Sequence, residues 1–129
     1  MQIIAPASLI ARLLAEAAAS PNREICGLLF GDDARIVEAR ATANVAHDPT
    51  VWFEVDPTAL LAALRAERGG GPHLIGHYHS HPGGSAAPSP RDLAAAEPGR
   101  LWLIVGAGEI RAWRAANGGF REVTLLTER

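Results

Sequence analysis

The stretch His77-Tyr78-His79-Ser80-His81-Pro82 closes an apolar run, and a glycine-rich loop separates it from Ser89-Pro90-Arg91-Asp92. Residues two apart on a strand point to the same side of the sheet, about 6.6 Å apart along the chain, so His79 and His81 can converge on one cation. Imidazole nitrogens suit zinc, and a carboxylate from another element can supply a third bond while the fourth position stays open for water. Asp92 is the carboxylate best placed for this role, because the glycines let the chain turn into a helix whose first turn faces the metal.

Simpler structural roles explain each of these features when it is taken alone. A pair of histidines on a strand is more often structural or surface-exposed than metal-binding. Ser89, with proline next and an acid three positions later, is also a good helix start, so capping accounts for both Ser89 and Asp92. His77 shares the strand parity of His79 and His81, which makes it either an alternative second ligand or a partly buried strand residue.

The pattern along the rest of the chain predicts one α/β domain over residues 1–129. Apolar residues on one stripe predict a helix over Pro6–Ser20, and the acid and proline of Asp56-Pro57 introduce a second helix over Ala59–Glu67. A short third helix is predicted after Ser89. Strands are predicted at Ile25–Gly31, Ala34–Arg40, Val51–Val55, His73–His79, Leu101–Val105, Ile110–Arg114 and Phe120–Leu126, with the first two as a hairpin. This order of elements is typical of a single mixed β-sheet flanked by helices.

The composition excludes several classes of protein. The chain is 48% apolar and 20% charged, which is the profile of one ordinary globular domain. Its formal net charge of −2 argues against nucleic acid or an anionic membrane as a partner, since both demand a basic excess. Cys26 is the single cysteine, so an intramolecular disulfide and a four-thiolate zinc site are ruled out. The sequence has neither the pattern of a signal peptide nor an apolar stretch of about 18 residues, and we expect a cytoplasmic protein.

The combined spacing of the histidines, serine and aspartate closely resembles the signature of the JAMM (MPN-plus) metalloproteases. That signature is an upstream glutamate, then His-Ser/Thr-His-Pro, with seven residues between the second histidine and a serine, and two more before an aspartate. Here Pro82–Pro88 are the seven residues between His81 and Ser89, and two residues separate Ser89 from Asp92. A chance match to all of these positions is far rarer than a chance capping motif.

The upstream glutamate of the signature matches Glu24. A glutamate before a strand is usually a solvated end residue, but here it stands in Glu-x-Cys-Gly-Leu-Leu-x-Gly, which looks like the small prokaryotic members of the family. The segment Asn44–Pro57 is also similar to them. The resemblance therefore runs from about Glu24 to Asp92, and loosely to Val105.

The resemblance implies a role for each residue of the signature. His79, His81 and Asp92 bind one zinc ion per chain, Glu24 holds and deprotonates the water, and Ser89 helps to stabilise the oxyanion. The implied fold is the JAMM/MPN fold, whose architecture is similar to that of the cytidine deaminases. The implied activity is that of a peptidase or isopeptidase acting after the C-terminal Gly-Gly of a ubiquitin-like or sulfur-carrier protein. General chemistry agrees with this division of labour, since a three-ligand zinc site, a carboxylate base and a hydroxyl donor together suffice for amide hydrolysis.

A non-catalytic MPN-type scaffold that binds proteins is the alternative function, although such members typically lack part of the metal set. A zinc nucleoside deaminase requires a cysteine pair and a His-x-Glu sequence, and both are absent, as is the His-Glu-x-x-His of other metalloproteases.

Cys26 is expected to be a small buried side chain rather than a nucleophile, and His47 a solvent-facing loop residue rather than part of the substrate groove. The sequence leaves the natural substrate and the oligomeric state open. Four aromatic residues are expected in the core or lining the cleft: Trp52, Phe53, Trp102 and Trp113.

Overall fold

A computed structural model describes residues 1–129 as seven strands and three helices. In chain order these are β1 (Gln2–Pro6), α1 (Ala7–Ala18), β2 (Cys26–Gly31), β3 (Ile36–Thr42), α2 (Pro57–Arg68), β4 (Leu74–Ser80), α3 (Pro90–Ala95), β5 (Leu101–Gly106), β6 (Glu109–Ala116) and β7 (Gly119–Glu128). The two longest helices have 12 residues each, and no helix combines the length and apolar character needed to cross a membrane.

All seven strands lie in one mixed sheet in the order β1-β7-β6-β5-β4-β2-β3. The pairs β1–β7 and β4–β5 are parallel, and the remaining pairs are antiparallel. The sheet curls until its two ends approach each other, since the Ile4 N–H donates to the Ala34 carbonyl (3.0 Å) and a parallel bridge links Ile4 to Arg35. The prediction of a mixed sheet flanked by helices is therefore confirmed.

The two faces of the sheet carry different helices. Leu9 and Leu13 of α1 are buried on the inner face of the curl, where they join a cluster with residues from all seven strands. One residue from each strand, in chain order, is Ile3, Leu29, Ile36, Tyr78, Leu103, Ala112 and Val123. The outer face carries α2, whose Ala63 packs with Leu28, Phe30 and Leu74. Phe53 and Trp102 form a further buried cluster on this outer face, and the rings of His77 and His79 lie against them.

Most predicted elements are confirmed within a few residues, and two predictions are wrong. The sequence pattern predicts no strand before the first helix and begins that helix at Pro6, but Gln2–Pro6 pairs in parallel with β7, so α1 begins only at Ala7. The predicted strand Val51–Val55 forms only a single bridge, between Val55 and Asn44. Its ladder does not extend because the Glu54 N–H donates to the side chain of Asn44 (3.0 Å) rather than to a backbone carbonyl.

Gly76 of β4 permits a close approach between two parallel strands, and Gly76→Ala is expected to destabilise the fold strongly. A Cβ at this position would lie 1.9 Å from the Leu101 carbonyl oxygen, so the strand backbones themselves would have to separate. Overpacking of this kind costs about 3 kcal/mol, which for a chain of this size lowers Tm by roughly 10 °C. The measurement is thermal unfolding followed by circular dichroism.

Gly69→Ala is the matched control, since its Cβ would meet nothing closer than 3.6 Å and its φ is −84°. We expect its Tm to stay within about 2 °C of the parent, because substitutions without such contacts change stability by roughly 0.5 kcal/mol or less. Equal Tm values for the two variants would contradict the close strand approach at Gly76.

Candidate metal centre

Two histidines and an aspartate bring their donor atoms together at the end of β4. His79 lies on the strand, and His81 follows it directly, where its N–H still donates to the Val105 carbonyl of β5 (2.8 Å). This continued pairing keeps the two imidazoles on one side, and their Nε2 atoms are 3.0 Å apart. Asp92 Oδ1 lies 3.3 Å from His79 Nε2, and Asp92 Oδ2 lies 3.1 Å from His81 Nε2. Because His79 and Asp92 are 0% and 1% exposed, the three donors form a compact buried cluster.

The spacing of these donors suits a small tetrahedral cation. Nitrogen and oxygen ligands lie about 2.0–2.2 Å from zinc, so two ligands of a tetrahedral ion are roughly 3.3–3.6 Å apart. The donor atoms here are 3.0–3.3 Å apart, which is shorter by a few tenths of an ångström. Distances of about 3 Å are normal for donors and acceptors that hydrogen-bond one another. A slight outward movement of the three side chains would therefore admit the ion.

Asp92 is held in place by the start of α3. The Ser89 side chain accepts a hydrogen bond from the Asp92 N–H (3.1 Å), and the Ser89 N–H donates to Asp92 Oδ2 (2.9 Å), which together make a capping box. The same oxygen, Oδ2, faces His81. Asp92 can therefore cap the helix and bind a metal at the same time, because the hydrogen bonds of the cap hold its carboxylate next to His79 and His81.

His79 and Asp92 have the protonation states that a metal requires, whereas His81 must release a proton before its Nε2 atom can bind one. Burial lowers the pKa of His79, against the opposing effect of Asp92, and this favours the neutral imidazole. Burial alone would lower the pKa of His81 as well, but its hydrogen bonds with Asp92 and with the Ser85 carbonyl raise it. Burial alone would raise the pKa of Asp92, but hydrogen bonds from the two histidines hold it well below its usual range. The His81 Nδ1 atom lies 2.9 Å from the Ser85 carbonyl oxygen, so a proton at Nδ1 would be donated there, and the lone pair of Nε2 would then point to the metal.

Glu24 lies beside this cluster without joining its hydrogen bonds. It precedes β2, it is 7% exposed, and one of its carboxylate oxygens lies within 4.8 Å of donor atoms of His79 and His81. Its Oε1 atom is buried and has no hydrogen-bond partner. Burial raises the pKa of Glu24 from 4.5 to about 7, although the neighbouring His81 opposes the rise and Asp92 adds to it. A carboxylate with such a pKa can both accept and release a proton near neutrality.

The structure thus brings together Glu24, His79, His81, Asp92 and the capping Ser89, but not the third histidine of β4. The His77 ring packs edge-on against Trp102 with centroids 4.3 Å apart, and its centroid is 6.4 Å from that of His79. It forms no hydrogen bond at Nδ1, and burial lowers the pKa of His77 to about 3. The position of His77 is that of a partly buried ring packed against Trp102.

Cys26 and His47 lie outside the donor cluster. Cys26 is 1% exposed and opposes His79 across the β2–β4 ladder, but its Sγ contacts Thr42 Oγ1 (3.6 Å) and burial raises the pKa of the thiol to about 11. A thiol with so high a pKa is a poor nucleophile at neutral pH. His47 is exposed on the loop between β3 and α2.

Phe53 and Ser80 also contribute to the centre, although neither residue has a sequence feature of its own that predicts its role. The Phe53 ring stacks on the His79 imidazole with centroids 4.1 Å apart and an interplanar angle of 15°, and this fixes the orientation of the ring. Ser80, between the two histidines, accepts a hydrogen bond from the Ile25 N–H at its hydroxyl (2.9 Å) and donates its own N–H to the Ile25 carbonyl (3.1 Å). Ser80 therefore ties the Glu24–Ile25 segment to β4. Only its place in the His-Ser-His sequence could have indicated such a role.

Comparison with known proteins identifies what the chain is similar to. The family model described as prokaryotic homologs of the JAB domain matches residues 6–116. A desampylase from Haloferax volcanii is 39% identical over 116 residues, which cover 87% of this chain and 84% of that protein. A probable TtuB-protein conjugate cleaving protease from Thermus thermophilus is 41% identical over 83 residues, which cover 64% of this chain and 55% of that protein.

A solved structure shows the same fold. The chain superposes on AF2198, a JAB1/MPN domain protein from Archaeoglobus fulgidus, with a TM-score of 0.62 and 21% identity. The alignment covers 100% of this chain and 98% of the other. The curled sheet and its helices are therefore those of a JAB1/MPN domain.

Proposed function

The chain belongs to the family of prokaryotic homologs of the JAB domain, and from that membership we propose that it cleaves the bond after the C-terminal Gly-Gly of a ubiquitin-like or sulfur-carrier protein. It is a hydrolase, the class to which the desampylase and the conjugate cleaving protease belong. The observation that carries the finer proposal is the convergence of the His79, His81 and Asp92 donor atoms within 3.0–3.3 Å of one another, with the unpartnered Glu24 carboxylate beside them. We expect the reaction to take place in the cytoplasm.

His79, His81 and Asp92 would hold one zinc ion. Two imidazoles and a carboxylate are a donor set that zinc uses in hydrolytic sites, and the open fourth position admits water or substrate. An ion bound there would lower the pKa of a water molecule to about 7 and polarise the substrate carbonyl. The capping box at Ser89 and the ring of Phe53 keep two of the three ligands oriented.

Glu24 is the general base and acid of the proposed reaction. Its carboxylate accepts a proton from the attacking water as the new C–O bond forms, and it passes that proton to the leaving amine as the C–N bond breaks. The products are a free carboxyl group on the Gly-Gly tail and a free amine on the other partner. Burial raises the pKa of Glu24 to about 7 in the absence of a metal, and this moves the group toward the range in which a carboxyl serves as both acceptor and donor.

Ser89 supplies a hydrogen-bond donor to the developing oxyanion in this proposal. Its oxygen accepts from the Asp92 N–H, so the hydroxyl proton itself remains free to donate. A donor aimed at the negative charge of a tetrahedral intermediate is worth about 10²–10³ in rate.

The tail of a ubiquitin-like or sulfur-carrier protein fits a site bounded by aromatic rings and a short helix. Trp52 packs against Phe53 with centroids 4.9 Å apart, and the Arg91 guanidinium of α3 lies over the Trp52 ring at 4.6 Å. Glycines next to the scissile bond have no side chain to clash with these groups, so we expect the extended Gly-Gly tail to lie beside them.

A non-catalytic scaffold is the alternative function, and no observation favours it. A scaffold has no use for a buried carboxylate whose oxygen lacks a partner, and keeping one costs stability. The complete set of donors at the centre likewise fits a hydrolase.

The proposal predicts a chelator-sensitive cut directly after Gly-Gly. A ubiquitin-like sulfur carrier extended beyond its Gly-Gly end is incubated with the zinc-loaded protein, with and without a zinc chelator, and intact mass spectrometry identifies the products. We expect the mass of the carrier ending in Gly-Gly to appear only without chelator, and to return when zinc is restored. The same carrier with its Gly-Gly changed to Val-Val is the control and is expected to stay intact. Zinc-loaded protein that leaves both linear extensions and isopeptide conjugates of the carrier uncut would overturn the proposal.

A further inference from the structure

Glu24 lies outside the strands, so no β-ladder fixes it. It precedes β2, and both of its backbone polar groups are bound instead by the loop between β3 and α2. The Glu24 N–H donates to the Pro49 carbonyl (2.8 Å), and the Glu24 carbonyl accepts from the Asn44 side chain (2.8 Å). The position of the carboxylate therefore depends on how firmly this loop, residues 43–56, is held.

Asn44 fixes the loop with a fully used amide. Its Nδ2 donates to the Glu24 carbonyl (2.8 Å) and to the Trp52 carbonyl (3.0 Å). Its Oδ1 accepts from the Ala46 N–H (3.0 Å) and from the Glu54 N–H (3.0 Å). Two donors and two acceptors are all that a side-chain amide offers, so Asn44 is saturated and ties both arms of the loop to Glu24.

No other side chain bonds the backbone of Glu24, and the adjacent Ile25 is held from the other side by Ser80. From this arrangement we propose that Asn44 is a positioning residue that holds the Glu24 carboxylate beside the metal ligands. The inference rests on the proposed function, because it assigns Asn44 an effect on catalysis only through Glu24. Displacing a reacting group by about 1 Å can cost on the order of 10²-fold in rate, so loss of this anchor would be visible in turnover.

Asn44→Asp tests the proposal because it removes only half of the contacts. A carboxylate keeps the two accepted hydrogen bonds from Ala46 and Glu54, but it turns the two donated bonds into repulsion between oxygen atoms at Glu24 and Trp52. With the Gly-Gly-extended carrier as substrate, we expect kcat to fall at least 10-fold while KM changes less than 3-fold. Zinc content is expected to stay at one per chain, since none of the ligands contacts Asn44.

Thr50→Ala is the control within the same loop. Thr50 hydrogen-bonds only to Asp48, and its loss is expected to leave kcat and KM within 2-fold of the parent protein. If circular dichroism shows Asn44→Asp to be unfolded, Asn44→Ala takes its place with the same expected fall in kcat, because alanine introduces no charge among the carbonyls.

Combination with Glu24→Gln separates positioning from a general structural effect. In the Glu24→Gln background, Asn44→Asp is expected to lower the residual kcat less than 2-fold, because the group that Asn44 positions has already lost its function. An equal loss in both backgrounds, an unchanged kcat in the single variant, or a rise in KM without a fall in kcat would overturn the inference. A parent protein that holds zinc and does not cut would instead overturn the proposed function.

Discussion

His79→Ala is expected to abolish both zinc binding and turnover. His79 is fully buried, and its Nε2 atom lies 3.0 Å from that of His81 and 3.3 Å from Asp92 Oδ1, so its removal takes away one of three ligands at the centre of the cluster. A site with three protein ligands cannot lose one without a large loss of affinity, since each ligand supplies a full coordination bond. After dialysis we expect less than 0.1 zinc per chain by plasma mass spectrometry, and cleavage of the extended carrier reduced at least 10³-fold.

His77→Ala is the matched control for this substitution. His77 lies on the same strand and the same face, and it is the other histidine that the strand pattern allows as a ligand. Its ring contacts Trp102 and Phe53 rather than the donor cluster, so the variant is expected to retain one zinc per chain. Loss of zinc in His77→Ala with retention in His79→Ala would reverse the assignment of the two ligands.

Elements whose local pattern agrees with their packing could be predicted from the sequence. The hairpin of β2 and β3 and the helix that follows Asp56-Pro57 are of this kind, because periodicity and capping residues define them locally. β1 is not, since it is a strand only through pairing with β7, whose residues lie more than a hundred positions away in the chain. The failure of Val51–Val55 to form a ladder could not be predicted either, because the Glu54 N–H that a ladder would need donates instead to the side chain of Asn44.

In the candidate site, too, some features could be predicted from local patterns in the sequence and others could not. Strand parity could place His79 and His81 together, and the capping pattern could place Asp92 at the start of α3, because both rules act over a few residues. The stacking of Phe53 on His79 joins parts of the chain that no local rule relates. The nearness of Glu24 to the histidines could be expected only from the family signature, since it depends on the pairing of β2 with β4 and on the loop that binds its backbone.

Glu24→Gln is expected to keep zinc and to lose turnover. Glutamine preserves the size of the side chain, and Glu24 makes no hydrogen bond to the ligands that the change would break. An amide, however, does not accept a proton from water at neutral pH. General acid and base catalysis contributes about 10²–10⁴ in rate, so we expect kcat to fall by that factor while metal analysis still gives one zinc per chain. Full turnover in this variant would contradict the assignment of Glu24 as the base.

The zinc-free protein offers a second measurement of the same residue. The folded-state pKa of Glu24 is about 7 against an ordinary value of 4.5, so the folded state binds more protons than the unfolded state between these limits. Its contribution to stability is therefore favourable at low pH and is lost as the pH rises through this window. Glutamine does not titrate, so the variant does not lose this stability as the pH rises. Zinc-free Glu24→Gln is therefore expected to have a Tm a few degrees above that of the zinc-free parent near pH 8, but within about 1 °C of it near pH 5. A lower Tm for the variant at both pH values would mean that the carboxylate is solvated or paired in the folded protein, and a solvated carboxylate lacks the raised pKa that lets Glu24 release its proton to the leaving amine.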